Sequence, residues 1–228
     1  MAYMLFNSMN KIIGIYKEKG PTSHDVIDRL RKITDIKKIG HAGTLDPLAE
    51  GVLVVGIGRE ATKQLGNEVK KEKKYSAIVE LGMTSTTDDG EGDKTVKKVK
   101  SIPTKKQIQD TTKLFEGNIK QIPPIFSAVK VGGKEAYKIA RKGKVVELGP
   151  RDVEIKKVEL IDYRWPLLTI KVTTGPGVYI RSLARDIGEK LGVGGYLKQL
   201  KRTRVGEFSE SNALTLAQFK KQYRKENV

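Results

Sequence analysis

The loop at residues 40–51 is the part of the chain best suited to chemistry. It reads GHAGTLDPLAEG and holds one carboxylate, Asp46, directly before Pro47 and ahead of the apolar run at 52–55. Glycine permits backbone conformations that other residues avoid or a close approach to a ligand, and proline keeps the residue before it out of the helical region. The pattern predicts a restrained loop that presents Asp46, although an aspartate before proline also fits a simple turn.

Two tyrosines and an arginine, Tyr75, Tyr179 and Arg181, would complement this carboxylate. Together with Asp46 they suit work on a base in RNA. The carboxylate would act at the sugar, an aromatic ring would stack on the base, and the arginine would keep the carboxylate ionised by pairing with it. Each tyrosine taken alone also fits ordinary core packing. That these side chains meet in space is therefore a prediction.

The net charge points to a polyanionic partner. The chain has 228 residues with 44 Lys plus Arg against 27 Asp plus Glu, a net charge of +17. Cations that neutralise phosphates release condensed counterions, and this charge exceeds what solubility alone needs. Nucleic acid is the partner that the composition favours.

The composition also excludes several classes of protein. The chain has no cysteine and two histidines, which excludes disulfide scaffolds, thiol catalysis and thiolate zinc sites and leaves few ligands for other metals. No run approaches the roughly 18 apolar residues of a membrane span, and the N-terminal residues lack the pattern of a signal peptide. We expect a cytoplasmic protein without a membrane partner.

Two motifs suggest other ligands but lack the context those ligands need. Residues 56–61 match the G-x-G-x-x-A dinucleotide pattern, with Glu80 further along the chain, yet the motif does not follow the first strand and regular βαβ units are missing. The acidic residues within 84–93 suggest calcium, but their spacing is not that of an EF-hand. We predict a solvated hairpin loop there.

The elements that must position these residues alternate irregularly. Strands are predicted over 11–16, 52–57, 74–81, 152–163 and 167–173, and helices after Thr22 or Ser23, over 59–69, after Thr104, over 134–141 and 179–191, and after Thr215. This order predicts a single-domain α+β fold whose mixed, largely antiparallel sheet is flanked by helices and loops.

Five ordered segments resemble the TruB family of bacterial tRNA pseudouridine(55) synthases. They are KEKGPTS at 17–23, the 40–51 loop with its HAGTLDP core, KYSAIVELG at 74–82, IPP through SAVK at 122–130, and GVYIRSL at 177–183. The resemblance implies the pseudouridine synthase fold and conversion of uridine 55 in the TΨC arm of tRNA to pseudouridine, with flipping of the base. A non-catalytic RNA-binding or tRNA-folding protein is the alternative.

The resemblance also implies roles for individual residues. Asp46 would be the catalytic aspartate that detaches uracil from C1′ and rejoins it through C5, by way of either an ester to Asp46 or a glycal. Tyr75 would stack on the flipped uracil and is a candidate for handling the C5 proton. Arg181 would pair with Asp46, and Tyr179 and Leu200 would line the uracil pocket.

Further residues would contact the RNA around the base. His41 matches the family residue that occupies the space left by the flipped uridine. From charge and position we predict phosphate contacts for Lys17, Lys19, Arg59 and Lys63. The isomerisation is redox-neutral and hydrolyses nothing, so no cofactor and no metal are expected.

The resemblance sets the expected extent of the domain and its partners. The catalytic domain would cover 9–228 and include an RNA-gripping insertion at 119–150, which favours the T arm of a bare tRNA over a guide RNA. The first eight residues match nothing, so Met9 is the expected natural start. We expect a monomer that lacks a C-terminal PUA-like domain.

Overall fold

The computed structural model describes residues 10–226, and the chain divides into two compact units. The first unit comprises Met1–Tyr75 with Lys201–Val228, and the second comprises Ser76–Leu200. Met9 and the eight residues before it lie outside the described residues. The extent of the catalytic domain therefore stays a prediction.

Strands and helices alternate along the chain. In order they are β1 (Lys11–Lys17), α1 (Ser23–Thr34), β2 (Ile39–Ala42), β3 (Ala49–Ile57), α2 (Arg59–Lys70), β4 (Lys73–Leu81), β5 (Met83–Ser85), β6 (Lys94–Val96), α3 (Lys105–Lys113), β7 (Gly117–Gln121), β8 (Lys130–Val131), β9 (Lys134–Glu135), α4 (Ala136–Ala140), β10 (Arg151–Arg164), β11 (Leu167–Thr174), α5 (Ile180–Lys190), β12 (Gly195–Val205), β13 (Phe208–Ser209) and α6 (Leu216–Glu226).

The first unit is centred on strand β3. β1 and β2 both pair with β3 in antiparallel register. The continuous apolar run at 52–55 is fully buried, as expected for a strand covered on both faces. Val52 and Val54 pack with Leu65 of α2 and Val205 of β12 in one core cluster. This core holds the ends of the 40–51 loop in place.

The second unit is built on the long strand β10, which pairs antiparallel with β11 and with β7. β5 and β6 form an antiparallel hairpin. Helix α5 buries Ile180, Leu183, Ala184 and Ile187, a helically spaced apolar set, so its opposite edge is left for polar contacts. Among residues 10–226, no helix is long and apolar enough to cross a membrane.

Most of the predicted elements are confirmed within a few residues. The capping box at α1 is one reason, because the Thr22 hydroxyl accepts from the Asp25 backbone N–H at 3.1 Å and the Asp25 carboxylate accepts from the Thr22 backbone N–H at 2.7 Å. The predicted helix over 134–141 is shorter, at Ala136–Ala140. Strand β12 is absent from the prediction, since its sequence, GYLKQLKRTRV, is rich in cations and obscures the alternation of a strand.

Candidate active site

Hydrogen bonds from the start of α1 hold the segment that carries Asp46. The Ser23 hydroxyl donates to the Leu45 carbonyl at 2.9 Å and accepts from the Leu45 backbone N–H at 2.8 Å. On the other side of Asp46, the Gly20 backbone N–H donates to the Pro47 carbonyl at 2.8 Å. The half-buried Asp46 therefore stands between two fixed backbone positions, as the restrained-loop prediction required.

A buried arginine that the sequence did not reveal, Arg202, holds the same loop from within the first unit. It is the largest of the fully buried side chains. Its Nε donates to the Val52 carbonyl at 2.8 Å, and its terminal nitrogens donate to the carbonyls of Gly43 at 2.9 Å and Thr44 at 3.5 Å. A guanidinium offers five donors in a rigid plane, so one side chain ties β12 to β3 and to the loop.

Arg202 also reaches the second predicted catalytic residue of this unit. Its guanidinium lies beside the side chain of Tyr75, which is 7% exposed, and Asp46 lies close enough to act electrostatically on both groups. Burial raises the pKa of Tyr75 above its usual value, so the side chain is a neutral phenol near pH 7. The structure thus brings Asp46, Tyr75 and Arg202 together.

One loop glycine has a structural reason that differs from the expected room for a ligand. Gly51 has φ of 111°, and a Cβ there would lie 2.2 Å from the Arg202 carbonyl oxygen. Only glycine permits both the conformation and the approach. Gly51 therefore makes room for the backbone of Arg202 within the fold.

Lys17 requires a correction of the predicted phosphate contacts. Its side chain is completely buried, and Nζ donates to the carbonyls of Glu18 at 3.0 Å and Pro21 at 2.8 Å. Burial lowers the pKa of Lys17 to about 8, although nearby Asp46 opposes the shift. The Lys17 ammonium therefore has no exposed surface that an RNA phosphate could contact. Lys17 instead fixes the turn that leads into α1.

The other three predicted phosphate ligands lie on the surface of the first unit. Lys19 and Arg59 are exposed. Lys63 is also exposed, and its ammonium forms a salt bridge of 2.8 Å with Glu60. Their contacts to phosphate stay predictions.

His41 is half-buried beside a second histidine. Its ring meets that of His24 edge-on, with centroids 6.0 Å apart, and within the described residues its buried Nδ1 has no hydrogen-bond partner. Burial, assisted by His24 and Arg202, lowers the pKa of His41 to about 4. His41 is therefore a neutral ring at physiological pH, which suits stacking, and its insertion into RNA stays a prediction.

In the second unit, Arg181 contacts the acidic hairpin loop that was predicted to be solvated. Arg181 is 6% exposed, donates to the Phe126 carbonyl at 2.9 Å, and lies 3.5 Å from the carboxylate of Asp89, which is 3% exposed. Its neighbour Asp88 pairs with Arg185 at 2.8 Å. The prediction of a hairpin is confirmed, and Glu91 and Asp93 are exposed as a solvated loop requires. Asp88 and Asp89 differ from that prediction, because two arginines of α5 pair with them inside the unit.

The main chain of Tyr179 is fixed by a buried amide. Gln121, 1% exposed, accepts from the Tyr179 backbone N–H at 2.9 Å and donates to the Tyr179 carbonyl at 3.1 Å. Tyr179 directly precedes α5, and its side chain is half-buried. Leu200, in β12, is 9% exposed. Whether these two side chains line a uracil pocket stays a prediction.

The acidic and histidine side chains form no metal centre that can be recognised in the part of the chain that the structure describes. Over residues 10–226, no group of three or more His, Asp and Glu side chains is arranged to hold an ion. Asp88 and Asp89 instead have arginine partners, and the Thr87 hydroxyl also donates to Asp89 at 2.5 Å.

Comparison with protein families matches nearly the whole chain. A model of the TruB family pseudouridylate synthase N-terminal domain matches residues 31–180, and a model of the tRNA pseudouridylate synthase B C-terminal domain matches 181–227. Curated proteins named tRNA pseudouridine synthase B from Mycobacterium sp. (strain KMS) and Corynebacterium diphtheriae are 47% and 43% identical over 209 and 213 residues. Each match covers 90% of this chain and 70% of the relative.

Solved structures share the fold. A Cbf5-Nop10-Gar1 complex matches with a TM-score of 0.76 and 29% identity, covering 100% of this chain and 59% of that chain. An H/ACA RNP bound to a substrate RNA containing 2′-deoxyuridine matches with a TM-score of 0.72 and 26% identity, covering 98% and 57%. With the family models, these similarities confirm the predicted α+β pseudouridine synthase fold.

Replacing Arg202 tests whether this side chain stabilises the loop at 40–51. In Arg202→Met the carbonyls of Gly43 and Val52 lose their buried donors, so we expect the free energy of unfolding to fall by about 2–4 kcal/mol. Urea denaturation measures this change. Lys201→Met, at a partly exposed neighbouring position, is the matched control and should cost less than about 1 kcal/mol. Equal stability of the two variants would show that Arg202 does not secure the loop.

Lys17 should make stability depend on alkaline pH. The folded-state pKa of about 8 lies below the ordinary value of 10.5, so between these pH values the unfolded chain binds more protons and folding becomes more favourable as pH rises. Urea denaturation from pH 7.5 to 10.5 should show the stability of wild type rising relative to Lys17→Met. Lys19→Met, at an exposed neighbouring position, serves as the control. A wild-type-to-Lys17→Met difference that stays constant with pH would contradict the burial of a charged Lys17.

Proposed function

This chain belongs to the TruB family of pseudouridylate synthases, and on that basis we propose that it converts uridine 55 in the TΨC arm of tRNA to pseudouridine. The observation that carries the proposal is the loop that fixes half-buried Asp46 beside Tyr75. The curated relatives named tRNA pseudouridine synthase B, at 43–47% identity, support the choice of substrate. The net charge of +17 suits a polyanionic substrate of this kind.

Asp46 would act at the sugar of a flipped uridine. The reaction breaks the bond from C1′ to N1, forms a bond from C1′ to C5, transfers the C5 proton away and leaves a proton on N1. Asp46 could attack C1′ and form an ester, or remove a sugar proton and give a glycal, and both paths need an ionised carboxylate in a fixed place. Nothing is oxidised or hydrolysed, so the chemistry requires no cofactor.

Tyr75 is better suited to stacking than to proton abstraction. Burial raises its pKa, so it enters the reaction as a neutral phenol, which is a weak base. Its ring can cover the uracil, with the Arg202 guanidinium beside the Tyr75 side chain. We therefore assign Tyr75 to binding and orientation of the flipped base.

The remaining site residues would complete the pocket. We propose that Arg181 pairs with Asp46 and keeps it ionised, while Tyr179 and Leu200 line the uracil site. The contacts of Arg181 to Phe126 and Asp89 support this role, since they restrict its guanidinium to one arrangement. His41 would occupy the space that the uridine vacates, which a neutral ring can do without burying a charge.

We further propose that the chain acts on tRNA as a monomer in the cytoplasm, without a guide RNA. Its identity to the bacterial relatives, 43–47%, exceeds the 29% it shares with the chain from the Cbf5-Nop10-Gar1 complex. The insertion at 119–150 carries seven Lys and Arg against two Glu, which suits a direct grip on RNA.

Substitution of Asp46 separates this enzyme from an RNA-binding protein without catalysis. Asp46→Ala should abolish turnover of a uridine-containing T-arm stem-loop and leave tRNA affinity within about threefold of wild type, because the carboxylate reacts but does not contact phosphate. Nucleoside analysis after digestion detects the product. Asp28→Ala, at an exposed position of α1, is the control and should turn over normally. If the wild-type protein bound the RNA but formed no pseudouridine, the proposed enzymatic function would be rejected. Turnover by Asp46→Ala would reject the assignment of Asp46 as the catalytic residue.

A further inference from the structure

A cluster of lysines in the second unit has no part in the site described above. Residues 94–109 contain six lysines and no acidic residue. We call the exposed members beyond β6, namely Lys97, Lys98, Lys100, Lys105 and Lys106, the lysine strip. The insertion at 119–150 spreads seven cations and two glutamates over twice this length. The lysine strip is therefore the denser concentration of positive charge.

Four of the five lysines of the lysine strip lack a carboxylate partner among the described residues. Elsewhere, some lysines form salt bridges, with Glu60, Glu68, Glu159 and Glu80, whereas Lys32 and Lys70 form none within residues 10–226. Of the strip, Lys106 meets Asp110 at 3.1 Å, and the other four lysines form no salt bridge to any residue within 10–226. Their charge is left for an external anion or for water.

The backbone beneath the lysine strip is held at several points. The Lys97 backbone N–H donates to the Gly82 carbonyl at 2.9 Å, and the Tyr163 hydroxyl donates to the Pro103 carbonyl at 2.7 Å. Thr104 then caps α3. Four lysines on a fixed backbone lose less backbone freedom on binding than a flexible basic tail would.

Two members of the lysine strip occupy an electrostatically unfavourable position. Lys105 and Lys106 lie in the first turn of α3, where the helix dipole favours anions, and that turn has no acidic side chain. Mutual repulsion among the lysines adds to this cost. A polyanion laid along the lysine strip would relieve both effects.

We propose that the lysine strip binds the sugar-phosphate backbone of the substrate tRNA, as a contact surface separate from the insertion at 119–150. The identity of the RNA rests on the proposed function, whereas the preference for a polyphosphate rests on the unpaired charges. The hairpin of β5 and β6, which directly precedes the lysine strip, carries Asp89 against Arg181, so the RNA backbone would be held next to the element that supports a proposed catalytic side chain.

Two variants that remove the same number of charges test the lysine strip. The strip variant carries Lys97→Gln, Lys98→Gln, Lys100→Gln and Lys105→Gln. The control carries Lys32→Gln, Lys70→Gln, Lys157→Gln and Lys190→Gln, at exposed positions spread over other elements. Binding of an unmodified full-length tRNA transcript is measured across a salt series, with thermal unfolding to verify that both variants fold.

The strip variant should show the larger loss. We expect its Kd to rise at least about tenfold at 0.1 M salt and its slope of log K against log salt to fall by about 2 or more, because each lost phosphate contact contributes nearly one to the slope. The control should change the slope by less than about 1. An equal change in the two variants would overturn the proposal.

A second RNA locates the contact and separates this proposal from the proposed function. With an isolated T-arm stem-loop, a loss equal to that for tRNA places the contact in the T arm, and a smaller loss places it beyond. Both outcomes support the lysine strip. Because the experiment measures RNA binding, it tests the lysine strip whether or not the wild-type protein forms pseudouridine.

Discussion

The buried guanidinium of Arg202 is the interaction on which the arrangement around Asp46 depends. A cation removed from water is costly unless its donors find acceptors, and here the backbone carbonyls of Gly43, Thr44 and Val52 take that role, with the Tyr75 side chain beside the guanidinium. Because the acceptors belong to the loop and to β3 and the arginine to β12, satisfying one side chain fixes three segments. The loop around Asp46 is rigid because an alternative path would leave this charge unpaired.

The second unit uses the same principle with α5 as the source of donors. Arg181 donates to the Phe126 carbonyl, while Ser182 and Arg185 both donate to the carbonyl of Ile122. These bonds and the amide of Gln121 tie residues 121–126, near the start of the insertion at 119–150, to the first turns of one helix. Buried polar side chains thus hold irregular backbone in both units, where no regular ladder supplies partners.

Local sequence predicted the regular elements well, and the reason is physical. The apolar run at 52–55 and the capping boxes at Thr22 and Thr104 act through neighbours in the chain, so their consequences are visible in the sequence. The loop of Asp46 was equally predictable, because glycine permits unusual backbone conformations and proline restricts the backbone wherever they occur. These features accounted for the fold and for the loop that presents Asp46.

The roles of several lysines and arginines could not be predicted from the sequence in the same way. Arg202 lies in the segment KRTR and Lys17 in KEK, where both resemble surface charges. Only long-range packing decides which lysine or arginine is buried, and the carbonyls that accept from Arg202 come from residues 150 or more positions away. For Asp89 the partner is an arginine on a distant helix. Such pairings follow from the tertiary fold.

The rate of the chemical step in Arg202→Lys tests the central claim most directly. Lysine keeps the positive charge but not the planar fork, so it cannot satisfy the carbonyls of the loop and of β3 together. Under single-turnover conditions with saturating enzyme, we expect pseudouridine formation to slow at least about tenfold while tRNA affinity stays within about twofold. A variant that folds and reacts at the wild-type rate would show that Asp46 is positioned without Arg202.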